Sequence, residues 1–227
     1  MNTKIIFTRN SPVRTVLVNE TTGQELYRIE TPRRFVGSVT RVFRCDPAAP
    51  PTPNLTHRLY WDANEGYDSE EWKPLSGTEL EGDKEKNGNE GESGVVNAVD
   101  EAYEAPGEEF PLSLNEIARL YWKWFESTRI VFEGKIRTRA ELMPLKGKLR
   151  GSYVFSHNSV SYRWSQGAFR HPRLVIDDPS KTLIAQFHEA SLFKKEKSYL
   201  EVTPAGMGML DHIVVTFIPV EVRRRED

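Results

Sequence analysis

The sequence predicts a mainly β fold, a barrel or sandwich of roughly a dozen short strands, with an apolar C-terminal segment buried inside it. Two observations carry this. Short apolar or alternating runs recur along most of the chain, broken by turn-forming residues about every 8–12 positions. The stretch from Met207 to Val222 is then apolar on nearly every side. Chain ends are usually polar and frayed, so an apolar one needs a cover. A membrane is not expected to provide it. No apolar run reaches the roughly 18 residues of a span, and this one contains Asp211, His212, Pro219 and Glu221.

Residues 4–8, 13–18 and 25–30 read as strands, the last two flanking a Glu20-Thr21-Thr22-Gly23-Gln24 hairpin turn. Val39, Val42 and Phe43 mark a strand that ends at the Pro-rich loop Asp46–Pro53, and Leu59-Tyr60-Trp61 marks another. Segment 116–125 is open to two readings. Extended, it puts Ala118, Leu120, Trp122 and Trp124 on one face; as a helix it groups Ile117, Tyr121 and Trp124. Strands then follow at 128–133, 152–157, 160–164, 173–176, 182–187 and 199–202, with tight turns at His157-Asn158 and Asp177–Ser180. Thr203 and Pro204 suit the start of a helix over 204–222, about 28 Å long. The rival there is β-branched strand over Ile213–Ile218 broken by Pro219, which would cost a helix about 3 kcal/mol. Arg223–Arg225 suit a helix C-terminus, where the macrodipole favours cations.

The net charge of −2 conceals a division. Residues 65–109 carry 15 acidic and 3 basic side chains amid Gly, Ser and Asn, whereas the remainder is basic. That stretch buries too little apolar surface to offset chain entropy and reads as a disordered insertion in a single domain spanning 1–227. Cys45 is the one cysteine, so no internal disulfide forms. The first ten residues lack a signal-peptide core, and a cytoplasmic or nuclear setting is expected.

Nothing in the pattern spells catalysis. The five histidines (His57, His157, His171, His188 and His212) show neither i, i+4 pairing nor Cys–His spacing, so turn and core roles are expected, with no metal and no cofactor. Gly206-Met207-Gly208 lacks the third glycine and βαβ setting of a dinucleotide loop. Asp211 suits the first turn of the terminal helix. Nucleophile elbow, P-loop and EF-hand motifs are absent from the sequence. Basic residues gather at Lys146, Lys148 and Arg150, at Lys194, Lys195 and Lys197, and at Arg223–Arg225, with no nucleic-acid-binding signature beside them.

Several stretches carry a resemblance. They are Glu25-Leu-Tyr27-Arg-Ile-Glu-Thr31-Pro32, Ile130-Val-Phe132-Glu-Gly134-Lys135, Asn158-Ser-Val-Ser-Tyr162-Arg-Trp164, Tyr199-Leu-Glu-Val202 and Leu210–Glu221. Together they resemble an uncharacterised fungal domain-of-unknown-function family, itself similar to the tubby C-terminal and LURP-one-like group related to scramblases. The resemblance implies a closed antiparallel barrel of about twelve strands around a hydrophobic helix at 204–222. It also implies a non-enzymatic module that binds phosphoinositide or other anionic lipid head groups, with Lys146, Lys148, Arg150, Lys194, Lys195 and Lys197 as the contacts. The alternative is a protein-interaction module that uses the acidic 65–109 loop. A buried terminal helix further predicts that truncation at Pro204 leaves an insoluble chain, and that removal of Arg223–Asp227 is mild.

Overall fold

Period-2 burial and tight turn chemistry organise the chain into one continuous sheet. The computed structural model describes residues 1–31, 38–46, 112, 115–122, 128–147, 152–165, 171–190 and 196–226. The first half contributes β1 (Thr3–Phe7), β2 (Thr15–Asn19), β3 (Glu25–Glu30), β4 (Val39–Arg44), β5 (Glu116–Tyr121), β6 (Arg129–Phe132) and β7 (Lys135–Thr138). A single helical turn, α1 (Arg139–Leu142), leads to β8 (Leu145–Lys146), β9 (Ser152–His157), β10 (Val160–Ser165), β11 (Arg173–Ile176), β12 (Leu183–His188) and β13 (Tyr199–Val202). The chain ends in α2 (Pro204–Met207) and α3 (Leu210–Glu226). Segment 116–125 is extended as far as Tyr121, with Glu116, Ala118 and Leu120 on its buried face. The segments 59–61 and 65–109 lie outside the described residues.

Every neighbouring pair is antiparallel, in the order β7-β6-β5-β4-β3-β2-β1-β13-β12-β11-β10-β9-β8. Among the described residues, the expected closed barrel of about twelve strands is instead a thirteen-strand sheet with two ends. No ladder joins β7 to β8 among the described residues. Local chemistry accounts for the break. Thr138 and Glu141 form a reciprocal capping box that starts α1 directly after β7 and turns the chain out of the sheet. Pro144, which has no N–H to give a ladder, then precedes a β8 of two residues.

The sheet nevertheless curls around α3. Ile213 to Val222 are buried without interruption, so the helix is covered on all sides. Phe217 meets Phe7 of β1 at 5.7 Å, Phe187 of β12 at 5.0 Å and Trp164 of β10 at 5.8 Å. The buried Trp164 Nε1–H donates to Thr216 Oγ1 at 2.9 Å. One hydrophobic cluster joins the helix to eleven of the strands.

The terminal segment departs from a single helix over 204–222. It begins as the short α2, turns at Gly208-Met209, and runs on as α3 to Glu226. The tight approach of α2 to the sheet explains the first piece. A Cβ on Gly206 would sit 2.7 Å from Val202 Cγ1 and 3.0 Å from the Ile184 carbonyl oxygen. Pro219 neither ends nor extends the segment. Its cost of about 3 kcal/mol is small beside ten consecutive buried residues, at about 1.5–3 kcal/mol for each large apolar one.

Candidate functional site

Polar groups converge where α3 begins, at the end of the sheet holding the β6–β7 and β9–β10 turns. Asp211 lies in the first turn of the helix, where the macrodipole favours a carboxylate. It has two partners besides: Tyr27 Oη of β3 donates to Oδ1 at 2.5 Å, and the Arg44 guanidinium of β4 donates to Oδ2. Burial pushes the Tyr27 phenol well above its ordinary pKa, and the hydrogen bond to Asp211 pushes it further. This trio locks the helix start to the sheet.

One residue further on, His212 meets both ends of the sheet. Phe132 of β6 contacts its ring edge-on at 4.8 Å, and Phe155 of β9 stacks at 6.4 Å. Two side chains from hairpin turns complete the cluster. Glu133-Gly134 joins β6 to β7 with φ of 54° and 70°; Asn158-Ser159 joins β9 to β10 with φ of 49° and 63°. Positive φ at both central residues is the type I′ geometry that suits the twist of a two-residue hairpin. These turns bring Glu133 Oε1 to 3.0 Å and His157 Nδ1 to 3.1 Å from His212 Nε2. The other His157 nitrogen lies 3.1 Å from Asn158 Nδ2. Burial and the neighbouring His157 push the His212 pKa down, while Glu133 opposes them. The three ligand-type atoms lie within 4.8 Å of one another, so these residues have the geometry to hold a metal ion. Spacing along the sequence misses this group because topology alone unites it.

The expected lipid contacts fare unevenly. Lys146 stands on β8, 58% exposed, with Nζ 3.5 Å from Asp177 Oδ2. Arg163 and Lys181 approach the same carboxylate, at 2.5 and 3.6 Å, so three cations share one anion that is 8% exposed. Desolvation raises the Asp177 pKa, but Arg163, Lys146 and Lys181 together outweigh it and hold the group below its ordinary value. Arg163 Nε is buried without a hydrogen-bond partner. Lys197 precedes β13, where its ammonium donates to the Thr8 carbonyl oxygen at 3.3 Å. Five strand spacings, about 24 Å around the sheet, separate β8 from β13. The two lysines therefore belong to different patches. Lys148, Arg150, Lys194 and Lys195 lie outside the described residues.

Residues 10–226 match the family of unknown function DUF6593. The chain belongs to this family. No curated protein and no solved structure matches it. What defines this DUF6593 chain structurally is thus the helix wrapped by an open sheet, with the polar cluster at one end and the Asp177 cations on its side. No helix among the described residues is long and apolar enough to cross a membrane.

Proposed function

We propose that this chain is a non-enzymatic binding module of the tubby/LURP-one-like kind, which attaches peripherally to anionic lipid head groups of the phosphoinositide class. In this reading the sheet curls around α3, and the interior, filled by the helix, takes no ligand. Binding falls to the outer surface. The observation that carries it is the convergence of Lys146, Arg163 and Lys181 on the single carboxylate of Asp177. Trp164 of β10 points into the core, so its neighbour Arg163 points outward. The cluster therefore keeps net positive charge on the outside of the sheet. Lys148 and Arg150 lie two and four positions after Lys146 in the sequence.

Flotation on vesicles with and without a phosphoinositide tests this. Wild type should float with the anionic vesicles and lose binding as salt rises, because the attraction is screened. Each basic residue near an anionic surface contributes about 1 kcal/mol, so the Lys146→Gln/Lys181→Gln pair should weaken partitioning roughly thirtyfold. Both side chains are more than half exposed, which leaves the fold intact. Equal partitioning of the variant, or no phosphoinositide-dependent flotation at any salt, overturns the proposal.

A further inference from the structure

We propose that Glu133, His157 and His212 form a binding site for one divalent transition-metal ion of the zinc class, placed where the two ends of the sheet meet the start of α3. The proposal is independent of the lipid reading and rests on the geometry of three atoms. His212 Nε2 faces Glu133 Oε1 at 3.0 Å and His157 Nδ1 at 3.1 Å. An imidazole nitrogen carries one proton or one in-plane lone pair, never both. If Nε2 is protonated, its single hydrogen serves Glu133 or His157 fully, not both. If it is bare, it accepts from His157 Nδ1–H and turns its lone pair on the carboxylate. Each protonation state leaves one of the two close contacts without a hydrogen bond of its own. A cation at the point of convergence satisfies all three lone pairs together.

The dimensions suit such an ion. Tetrahedral zinc with bonds of about 2.0–2.2 Å sets its ligand atoms roughly 3.3 Å apart. The two contacts to Nε2 are slightly shorter than that, and all three atoms lie within 4.8 Å of one another. Glu133 is half exposed, so its side chain has room to adjust. Two imidazoles and a carboxylate select zinc, cobalt, nickel or iron over calcium and magnesium, which prefer all-oxygen sites. Three protein ligands leave a fourth position for solvent or an incoming group.

The surroundings fit the same role. Phe132 and Phe155 fix the plane of the His212 ring. The Asn158 amide sits against the far nitrogen of His157, where its oxygen, reached by a half-turn of the amide, would accept Nε2–H and free Nδ1 to ligate. The second Glu133 oxygen lies 3.5 Å from Arg137, which offsets part of the carboxylate's charge. Asp211, adjacent in sequence, is committed to Tyr27 and Arg44. The ion would join the β6–β7 turn, the β9–β10 turn and α3, and so tie together the two ends of the sheet that no ladder connects among the described residues.

The test uses full-length, tag-free protein stripped with a chelator and titrated with Zn²⁺ or Co²⁺. One ion per chain is expected, with the intense visible bands of tetrahedral Co²⁺ and a rise in thermal midpoint on adding Zn²⁺. Ca²⁺ and Mg²⁺ at the same concentration should change nothing. The turn-borne ligands allow variants that spare the core. Glu133→Gln and His157→Ala should each weaken Zn²⁺ binding by more than tenfold and abolish the Zn²⁺-dependent midpoint rise. Asn158→Ala, which acts through His157, should weaken it by about 10–100-fold. His188→Ala, remote from the cluster, is the control and should bind as wild type does. Wild-type protein that takes up no Zn²⁺ or Co²⁺, or a Glu133→Gln/His157→Ala double variant that binds as tightly as wild type, overturns the proposal.

Discussion

Removing the last five residues, Arg223–Asp227, separates two accounts of the C-terminal arginines. If they only complement the helix macrodipole, their loss costs about 0.3–1 kcal/mol at an exposed helix end. The structure assigns them a larger task. Glu221 is 0% exposed, inside the apolar run, and its carboxylate is held by Arg224 Nε at 2.7 Å, Arg224 Nη2 at 2.8 Å and Arg225 Nε at 2.8 Å. The arginine side chains are themselves only 22% and 13% exposed. Arg225 also donates to the Asn10 carbonyl oxygen at 2.9 Å, which pins the β1–β2 loop to the end of the helix. Deleting the tail leaves a buried carboxylate without its cations, and breaking such a pair costs about 3–5 kcal/mol. That is a large part of the 5–15 kcal/mol typical of a whole domain, so these contacts predict a costly truncation where the sequence alone suggested a mild one.

Urea denaturation at neutral pH, followed by tryptophan fluorescence, reads this difference. The 1–222 chain should lose about 3–5 kcal/mol, or roughly 6–20 °C in thermal midpoint. Adding Glu221→Gln to the truncated chain should recover a good part of the loss, because the amide carries no charge to strand. In the full-length chain the same substitution should destabilise, since two arginines then lose their carboxylate. This reversal of sign is the signature of coupling in a mutant cycle. A truncation cost below about 1 kcal/mol, or no recovery with Glu221→Gln, refutes the reasoning.

Three other expectations follow from close contacts. Gly206→Ala should cost about 1–3 kcal/mol in urea unfolding, because the new methyl meets Val202 Cγ1 and the Ile184 backbone at or below 3.0 Å. Thr216→Val keeps the shape but leaves the fully buried Trp164 Nε1–H without its acceptor, a loss of about 1–3 kcal/mol in the same measurement. For Asp177, the pKa in the folded chain lies below its ordinary value, so its stabilisation is complete above about pH 4 and fades as pH falls through the folded pKa. The stability gap between wild type and Asp177→Asn should therefore narrow in acid and close at the lowest pH; a gap independent of pH counts against the three-cation clamp.

The strands were readable wherever alternation met turn chemistry. β3, β9, β11 and β13 have the bounds that the pattern predicts, because each has a Gly, Asn, Asp or Pro within two residues of at least one end. β7, α1 and β8 escaped. Lys135–Thr138 offers only Ile136 as an apolar residue, and β8 spans two residues. The Thr138–Glu141 capping box was the signal there. Charge in the apolar run misled for a related reason. Glu221 followed by arginines at i+3 and i+4 already held the pattern of a paired buried carboxylate, but its depth depended on strands far away in sequence. The polar cluster was legible only as single residues. Asp211 and His212 stood out in the apolar run, whereas Glu133 lay in an ordinary turn and His157 is 55 positions from His212. No local spacing encodes a contact that the wrapping of a thirteen-strand sheet creates.

The two ends of α3 differ in a way that bears on where this protein acts. At the C-terminal end the buried carboxylate is matched by three donors from two guanidinium groups and sealed by Asn10. That arrangement is closed, and any change there falls on stability. At the N-terminal end, His212 confronts two neighbours with one nitrogen, one of them a half-exposed glutamate. Glu133 and His157 share that one nitrogen and the carboxylate stands half in solvent, so this end is open where the other is sealed. The same end bridges strands near the two ends of the sheet, through Phe132 of β6 and Phe155 of β9. The proposed ion would therefore sit at the part of the fold where, among the described residues, no ladder joins the two ends of the sheet.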